Sequence, residues 1–333
     1  MPLGDKYLRL THYLNKLEKE STKMTFAEIE NELGEALPAS AYVHQAFWSN
    51  STSHEIAYGW LNTGFRSEQI NIQEQTIVFR KKPQMCEKKE KTDYSKKEIL
   101  KKQLDPQTAV KYIRDYFYET VKDEHGRYKS WEHCYKAFGE HRGKNDNATI
   151  DYLSLHLAFY LASWGMYRGS SFLLQKDYKI HGAVVSTILE GKYDVLRNIS
   201  AENLMKAENL DLLMELSDRI KQLYANERPS FEGNTNNVTD TLTTKILLGT
   251  LGCVPAYDRY YVQTVRQYHI SSGQYTACSV RNVAEYYVRN KDVFEVVKND
   301  ISQHRVEYPA MKLMDMCMWQ AAFVEENSKE EKM

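Results

Sequence analysis

Residues 239–261 read TDTLTTKILLGTLGCVPAYDRYY, and this stretch decides how the second half of the chain is expected to fold. Its first half carries aliphatic side chains at helical spacing, which predicts a helix. Two glycines and a proline follow, and they predict a tight turn before a second helix that begins at Asp258. The stretch therefore places one carboxylate at the entrance of a helix, with Lys245 one element earlier.

Asp258 and Lys245 are the candidate catalytic residues of this stretch. Tyr257, Tyr260 and Tyr261 lie beside Asp258 in the sequence, and aromatic faces are suited to holding a nucleobase. A carboxylate next to such faces can stabilise a developing cation, and a lysine can act as a nucleophile. The alternative is structural, because Asp is favoured at helix N-caps and most lysines are solvated.

The composition bounds the class of protein. The 333 residues are enough for two domains, each with its own core. Lys and Arg together number 44 and Asp and Glu 45, which argues against a purely electrostatic nucleic-acid binder but leaves room for a local basic face. We find no apolar run that is long enough to span a bilayer, and the N-terminus lacks the apolar region of a signal peptide. We expect a cytoplasmic protein without a membrane partner.

Motifs for common cofactors and metals are absent from the sequence. The five cysteines are odd in number and scattered, which is typical of reduced thiols, and none forms a Cys-x-x-Cys pair that would hold zinc. The dinucleotide fingerprint, the phosphate-binding glycine loop, the zinc-protease helix motif and the hydrolase nucleophile elbow are also missing. We therefore expect neither a metal nor a cofactor.

The residue patterns divide the chain into four segments and predict a mainly α protein. Residues 1–82 mix helical and alternating patterns, which predicts a small α+β module with a winged-helix-like arrangement. Residues 83–103 are predicted to be a basic linker. Residues 104–324 predict an all-α domain of about ten helices, and residues 325–333 predict a disordered tail.

Two positively charged features favour phosphate contacts. Residues 80–103 hold ten basic and four acidic side chains, with Lys88 and Lys89 near the middle, so this segment is either a solvated linker or an arm that contacts phosphates. The apolar run 148–165 predicts a buried helix that carries Trp164, a further aromatic face. The glycine-flanked break after it carries Arg168, which suits an anion such as phosphate or, alternatively, a surface ion pair.

The N-terminal module carries a resemblance to known proteins. Residues 26–66 (FAEIENELGEALPASAYVHQAFWSNSTSHEIAYGWLNTGFR) resemble a small module of bacterial proteins associated with restriction and DNA processing. The matching residues are Phe26, Ile29, Glu30, Leu33, Gly34, Leu37, Pro38, Ala41, His44, Trp48, Asn50, His54, Ala57, Trp60 and Gly64. Phe47 departs from the pattern, which has a second Trp there. The resemblance implies a bacterial protein that works with DNA-acting partners in antiviral defence.

The residues of this module permit two interpretations. Trp48, Asn50 and His54, together with Trp60, can form an aromatic and hydrogen-bonding surface that stacks on a base or holds a sugar edge. Alternatively, the two tryptophans fill a small core while Asn50 and His54 cap helices, since a small domain needs large apolar side chains.

Residues 239–261 resemble the later part of the helix-hairpin-helix DNA glycosylase fold. In that family an Asp at a helix entrance stabilises the cationic sugar as the base departs, or positions a nucleophile. The resemblance implies this role for Asp258, next to a flipped-out nucleotide whose base contacts Trp164 and the three tyrosines. The family's Gly-x-Gly hairpin is absent, and the spacing from Lys245 to Asp258 is shorter than in the family.

These observations lead to three expectations for function. The leading one is a bacterial DNA-acting protein whose helical domain is a glycosylase that excises a modified base from foreign DNA. The second is a non-enzymatic protein that binds DNA or a partner and keeps a glycosylase-like helical shell. The third is a helical interaction protein unconnected with DNA. The oligomeric state is left open.

Overall fold

The computed structural model describes residues 7–17, 19–50, 55–61, 63–81, 104–169, 171–227, 238–302 and 306–330. The chain divides into two compact units, whose described parts are residues 7–81 and 104–330. The predicted fold class is confirmed: the protein is mainly α, with a small α+β part at the N-terminus. Among these residues, none of the helices combines the length and apolar character that crossing a membrane requires.

The first unit packs short helices against one antiparallel sheet. Its elements are α1 (Leu8–Asn15), β1 (Ser21–Thr25), α2 (Phe26–Leu33), α3 (Ala39–Val43), α4 (Tyr58–Leu61), β2 (Phe65–Asn71) and β3 (Thr76–Lys81). Strand β3 lies between β1 and β2 and pairs antiparallel with both. The predicted capping box is present, since Thr25 Oγ1 accepts from Glu28 N and the Glu28 carboxylate accepts from Thr25 N.

The second unit contains eleven α-helices among its described residues. They are α5 (Pro106–Lys122), α6 (Lys129–Glu140), α7 (Asn147–Ser163), α8 (Gly182–Ile188), α9 (Ala201–Leu204), α10 (Ala207–Asn226), α11 (Asp240–Thr250), α12 (Arg259–Gln267), α13 (Ala277–Arg289), α14 (Lys291–Ser302) and α15 (Ala310–Glu330). The predicted linker 83–103 lies outside the described residues. The last helix reaches Glu330, so the predicted tail is helical over most of its length.

Two side-chain hydrogen-bond contacts, one of them from an ion pair, explain why the last helix continues past residue 325. The Arg259 guanidinium donates to both carboxylate oxygens of Glu326 at 3.0 Å, and the Ser328 hydroxyl donates to the Glu325 carbonyl. Glu and Lys are also good helix formers, so a charged composition alone did not distinguish a tail from a helical end.

Helix α11, which begins the stretch 239–261, is buried on all sides. Every residue from Leu242 to Thr250 is buried, and the helix packs against α6, α7 and α10. Helix α15 is buried in the same way along most of its length and packs against α5 and α12. These two helices form the centre of the second unit, so the polar and charged side chains that they carry are buried as well.

The cysteines only partly follow the expectation of reduced thiols. Cys134, Cys253 and Cys317 are free, and each is buried. Burial raises the pKa of the Cys253 thiol to about 12, so it is an unreactive apolar group. Cys278 is disulfide-bonded, so the expectation is wrong at this position.

The close approach of α7 to α11 generates a stability prediction. A Cβ at Gly249 would lie 2.7 Å from Tyr160 Cδ1, whereas a Cβ at Gly182 would meet nothing nearer than Ile150 Cγ2 at 3.7 Å. We expect Gly249→Ala to lower the free energy of unfolding by about 1–3 kcal/mol through overpacking. The matched control Gly182→Ala should leave it unchanged or slightly raised. Urea unfolding followed by circular dichroism measures both, and equal midpoints would contradict the tight contact.

Candidate functional site

A cavity of about 720 Å³ lies in the second unit. Five of the residues singled out in the sequence line it: Trp164, Arg168, Lys245, Asp258 and Tyr260. Further lining side chains that the sequence analysis missed include Arg127, Tyr167, Trp319 and Phe323. The cavity brings together the end of α7, the middle of α11, the start of α12 and the second half of α15.

Helix ends place these side chains. Trp164 is the C-cap of α7, and the chain then reverses at Gly165, whose φ of 74° favours glycine. Asp258 is the N-cap of α12, where its Oδ1 accepts from the Tyr261 N–H at 3.2 Å. The predicted N-cap is therefore present, and the same side chain also lines the cavity.

Asp258 and Lys245 form an ion pair at the cavity wall. Lys245 Nζ donates to Asp258 Oδ2 at 3.1 Å, and the two side chains are 5% and 17% exposed. Lys245 is thus not the solvated lysine of the structural alternative. Because an ammonium group is costly to bury without a counter-charge, each residue fixes the other in place.

Cations surround the Trp164 ring. Lys245 Nζ lies 5.3 Å and the Arg127 guanidinium 5.2 Å from the ring centroid, and Trp319 meets it edge-on at 5.9 Å. These are cation–π distances, so the indole helps to hold both charges. We conclude that Trp164 contributes an electrostatic wall more than a free face for stacking.

A second buried ion pair holds the turn that precedes Asp258. Lys312 Nζ donates to Asp315 Oδ2 at 2.9 Å, and Asp315 Oδ1 accepts from the Ala256 N–H at 3.0 Å. Burial lowers the pKa of Lys312, and the neighbouring Asp315 opposes that shift. Neither residue was predicted, although two charges inside the apolar run MKLMDMCMW were a signal in the sequence.

Threonine hydroxyls of α11 hold the same turn from its other side. The Tyr257 N–H donates to Thr244 Oγ1 at 2.9 Å, and Thr241 Oγ1 donates to the Tyr257 carbonyl at 2.8 Å. With the bond to Asp315, these contacts fix consecutive peptide groups just before Asp258. The carboxylate is therefore held in a preorganised position, as a charge-stabilising group requires.

Only one of the three predicted tyrosines faces the cavity. Tyr260 lines it, with the Arg259 guanidinium 4.7 Å from its ring centroid. Tyr257 and Tyr261 are buried in the core, and Tyr257 shares a hydrogen bond with Ser279 at 3.0 Å. Their predicted contact with a base is wrong, because Tyr257, in the turn before α12, and Tyr261, in its first turn, are both buried in the core.

The rim of the cavity carries positive charge. Arg168 is exposed, and neither it nor Arg127 has an acidic partner among the described residues. The third arginine, Arg259, pairs with Glu326. Arg168 is thus free of the ion pair that was its alternative, and the rim suits an anion.

In the first unit, the predicted aromatic surface is part of the core. Trp48 is fully buried and donates from Nε1 to the Ala41 carbonyl at 2.9 Å. Asn50 Oδ1 accepts from Trp60 Nε1 at 2.9 Å and from the Ser67 N–H at 2.8 Å. Base stacking by Trp48 and base contact by Asn50 are therefore wrong, since a small unit uses both groups for its own packing.

The remaining predicted site residues, His54, Lys88 and Lys89, lie outside the described residues. Within the described ranges, His, Cys, Asp and Glu side chains form no group of three or more that could hold a metal ion.

The ion pair generates a prediction with a matched control. Asn is as good an N-cap as Asp, so Asp258→Asn keeps the cap but leaves the Lys245 ammonium buried without its counter-charge. We expect a loss on the order of 3 kcal/mol in the free energy of unfolding, and most of it should return in Lys245→Met/Asp258→Asn. Asp146 caps α7 by accepting from the Thr149 N–H at 3.0 Å and forms no ion pair among the described residues.

The control Asp146→Asn should therefore cost about 1 kcal/mol or less in the same urea titrations. Equal losses for Asp258→Asn and Asp146→Asn would mean that the contact between Lys245 and Asp258 contributes nothing to stability.

Comparison with known families concerns the first unit. Residues 7–82 match the model of a domain of unknown function, DUF7662. Comparison with curated proteins and with solved structures gives no match. The resemblances to restriction-associated proteins and to DNA glycosylases therefore stay predictions, and what is similar to a known family is the small α+β unit at the N-terminus.

Proposed function

We propose that the second unit is a DNA glycosylase that binds a flipped-out nucleotide in the cavity and releases its base. The observation that carries this proposal is the meeting of Asp258, Lys245 and Arg168 in one cavity, from three separate parts of the chain. The volume of about 720 Å³ is in the range of sites for small molecules and leaves room for a nucleotide unit. Foreign DNA as the target, a bacterial source and a cytoplasmic location belong to the same proposal and rest on the sequence.

The chemistry assigned to Asp258 is stabilisation of a positive charge. The bond between sugar C1′ and the base nitrogen breaks, its electron pair leaves with the base, and the sugar becomes an oxocarbenium ion. The fixed carboxylate of Asp258 stabilises that ion in a site partly shielded from water. A water molecule then bonds to C1′ and gives one proton to solvent, while the departed base takes a proton from solvent.

Lys245 is assigned a positioning role and not that of a nucleophile. A lysine attacks a sugar only as the neutral amine. Here Lys245 Nζ already donates to the Asp258 carboxylate at 3.1 Å and lies 5.3 Å from the Trp164 ring centroid, so these contacts hold it against the cavity wall. We therefore propose hydrolysis, with Lys245 orienting Asp258, in preference to a covalent intermediate.

The rim and walls are assigned to the rest of the nucleotide. Arg127 and Arg168 suit the flanking phosphates, since a guanidinium binds a phosphate through two parallel hydrogen bonds. The partly exposed ring of Tyr260, beside Trp319 at 5.3 Å, offers an apolar wall to the base.

A second candidate is a binding protein without catalysis. An exposed apolar stripe on α7 favours it, formed by Tyr152, Leu155 and Phe159, which are 44, 54 and 63% exposed. Residues spaced by three and four lie on one face of a helix, and a contiguous apolar patch of this kind often marks a partner site. This candidate uses the outer face of α7 and leaves the cavity unassigned.

The proposal predicts the loss of base release in one variant. Duplex oligonucleotides, each with one modified base, are incubated with the protein and treated with alkali, which cuts the strand at abasic sites. We expect Asp258→Asn to lower the rate of base release about a hundredfold or more, because the transition-state charge loses its partner. Asp146→Asn should act at the wild-type rate, and circular dichroism at the assay temperature verifies that both variants are folded.

An Asp258→Asn protein with the wild-type rate would refute the catalytic assignment. The DNA part of the proposal has its own test, because phosphate contacts make affinity fall steeply with salt. Duplex binding that is independent of salt, or no binding to any duplex tried, would favour the candidate without catalysis.

A further inference from the structure

A chain of three hydrogen-bonded side chains ends at the cavity. Tyr167 lines the cavity, and its hydroxyl lies 2.7 Å from Nε2 of His181. Nδ1 of the same ring lies 2.5 Å from the hydroxyl of Tyr224. His181 and Tyr224 are fully buried, whereas Tyr167 is partly exposed. The chain thus links the core to the cavity wall.

Three elements of the fold hold these hydrogen-bonded side chains in place. Tyr167 belongs to the break after α7, His181 ends the short 3₁₀ turn Tyr178–His181, and Tyr224 lies in the last turns of α10. The His181 ring meets the Tyr224 ring edge-on, with the planes at 89° and the centroids 5.8 Å apart. Three separate elements therefore converge on one imidazole.

The available hydrogen-bond partners determine which atom donates in the bond between Tyr224 and His181. The hydroxyl of Tyr224 has no other partner than His181 among the described residues. If Nδ1 carried the proton and donated to this oxygen, the hydroxyl hydrogen would be buried without an acceptor, at a cost of about 1–3 kcal/mol. Tyr224 therefore donates to Nδ1, which must be unprotonated.

Because Tyr224 donates to Nδ1 of His181, the donor in the bond between His181 and Tyr167 is determined as well. A neutral imidazole carries one proton, so it resides on Nε2 and is donated to the Tyr167 oxygen. Burial lowers the pKa of His181 to about 4, which keeps the ring neutral near pH 7. Burial also raises the pKa of Tyr167 to about 12, so its hydroxyl keeps its hydrogen. That hydrogen has no acceptor among the described residues, and Tyr167 is one of the residues that line the cavity.

We propose that Tyr167 is a neutral hydrogen-bond donor of the cavity and that it recognises an acceptor on the edge of a nucleobase. Arg127, Arg168 and Lys245 are charged donors suited to phosphate or carboxylate, and a neutral donor suits the carbonyl oxygen or unprotonated ring nitrogen of a base. The choice of a nucleobase rests on the proposed function, whereas the free donor rests on the hydrogen-bond chain.

This role also fits the proposed reaction. Negative charge collects on the base when its bond to C1′ breaks, and a hydrogen bond from Tyr167 becomes stronger as that charge grows. The proton stays on Tyr167 throughout, because its transfer would leave a tyrosinate beside a neutral imidazole. Tyr167 thus acts on the leaving base while Asp258 acts on the sugar.

The first test is the tautomer of His181 in the free protein. Nitrogen-15 NMR of histidine-labelled protein distinguishes a protonated ring nitrogen from an unprotonated one, and His181→Gln identifies the resonances. We expect a proton on Nε2 and none on Nδ1. Tyr224→Phe removes the donor to Nδ1, so the proton should no longer be confined to Nε2 in this variant. In Tyr167→Phe the proton should remain on Nε2. A proton on Nδ1 in the wild type would overturn the proposal.

The second test is the affinity for simple ligands, measured by tryptophan fluorescence and by the shift of the His181 resonances. The probes are the four deoxynucleoside 5′-monophosphates and deoxyribose 5-phosphate, which has no base. Tyr167→Phe should weaken nucleotide binding about threefold to tenfold and leave the binding of deoxyribose 5-phosphate unchanged. The control is Tyr178→Phe, which removes a hydroxyl that donates to the surface residue Asp151 at 3.1 Å.

Each outcome separates this inference from the glycosylase proposal. Nucleotides that bind the wild type and Tyr167→Phe equally would overturn the donor role, and a failure of all four nucleotides to bind would overturn the ligand class. A wild type that binds nucleotides through Tyr167 but releases no base from any duplex would refute the glycosylase and support the donor. If the wild type and Tyr167→Phe release a base at the same rate, that result would support the glycosylase and refute the donor role of Tyr167.

Discussion

The second unit depends on two ion pairs, each of which joins a buried lysine to a carboxylate that is largely shielded from solvent. Lys245 with Asp258 and Lys312 with Asp315 lie where α11, α12 and α15 meet, and each pair is within 3.1 Å. Buried charges are tolerated only when they are paired and hydrogen-bonded, so the helices that carry them have little freedom to shift. Asp315 also holds the turn before α12, and the start of that helix therefore depends on α15.

This constraint gives the cavity its chemical character. The carboxylate of Asp258 is fixed from three directions: by its lysine, by the backbone of α12 and by the clamped turn before it. The rim differs from the wall, because Arg127 and Arg168 are accessible there and have no acidic partner among the described residues. A fixed charge at the wall and accessible charges at the rim are what a site needs if it is to position one group and attract another.

Local patterns in the sequence predicted local structure, and failures began where distant segments meet. The N-cap at Asp258 and the break after Trp164 follow from a few neighbouring residues, and both are present. The bond from the Ala256 N–H to Asp315 and the hydrogen bonds that join Tyr167, His181 and Tyr224 connect residues on different elements, which a single sequence does not reveal. The choice among the tyrosines failed for a subtler reason. Tyr257 lies in the turn before α12 and Tyr261 in its first turn, and the local sequence does not show that the core takes up both while Tyr260 faces the cavity.

The buried imidazole of His181 couples the folding of the second unit to acidity. Its pKa of about 4 lies below the ordinary value of 6.5, so the unfolded chain takes up a proton that the folded chain refuses. The contribution of the neutral His181 to the free energy of unfolding is therefore complete above about pH 6.5. It is lost as the pH falls towards 4, at up to about 1.4 kcal/mol per pH unit. A side chain that has no contact with the cavity of its own thereby helps to set the acid limit at which the unit unfolds.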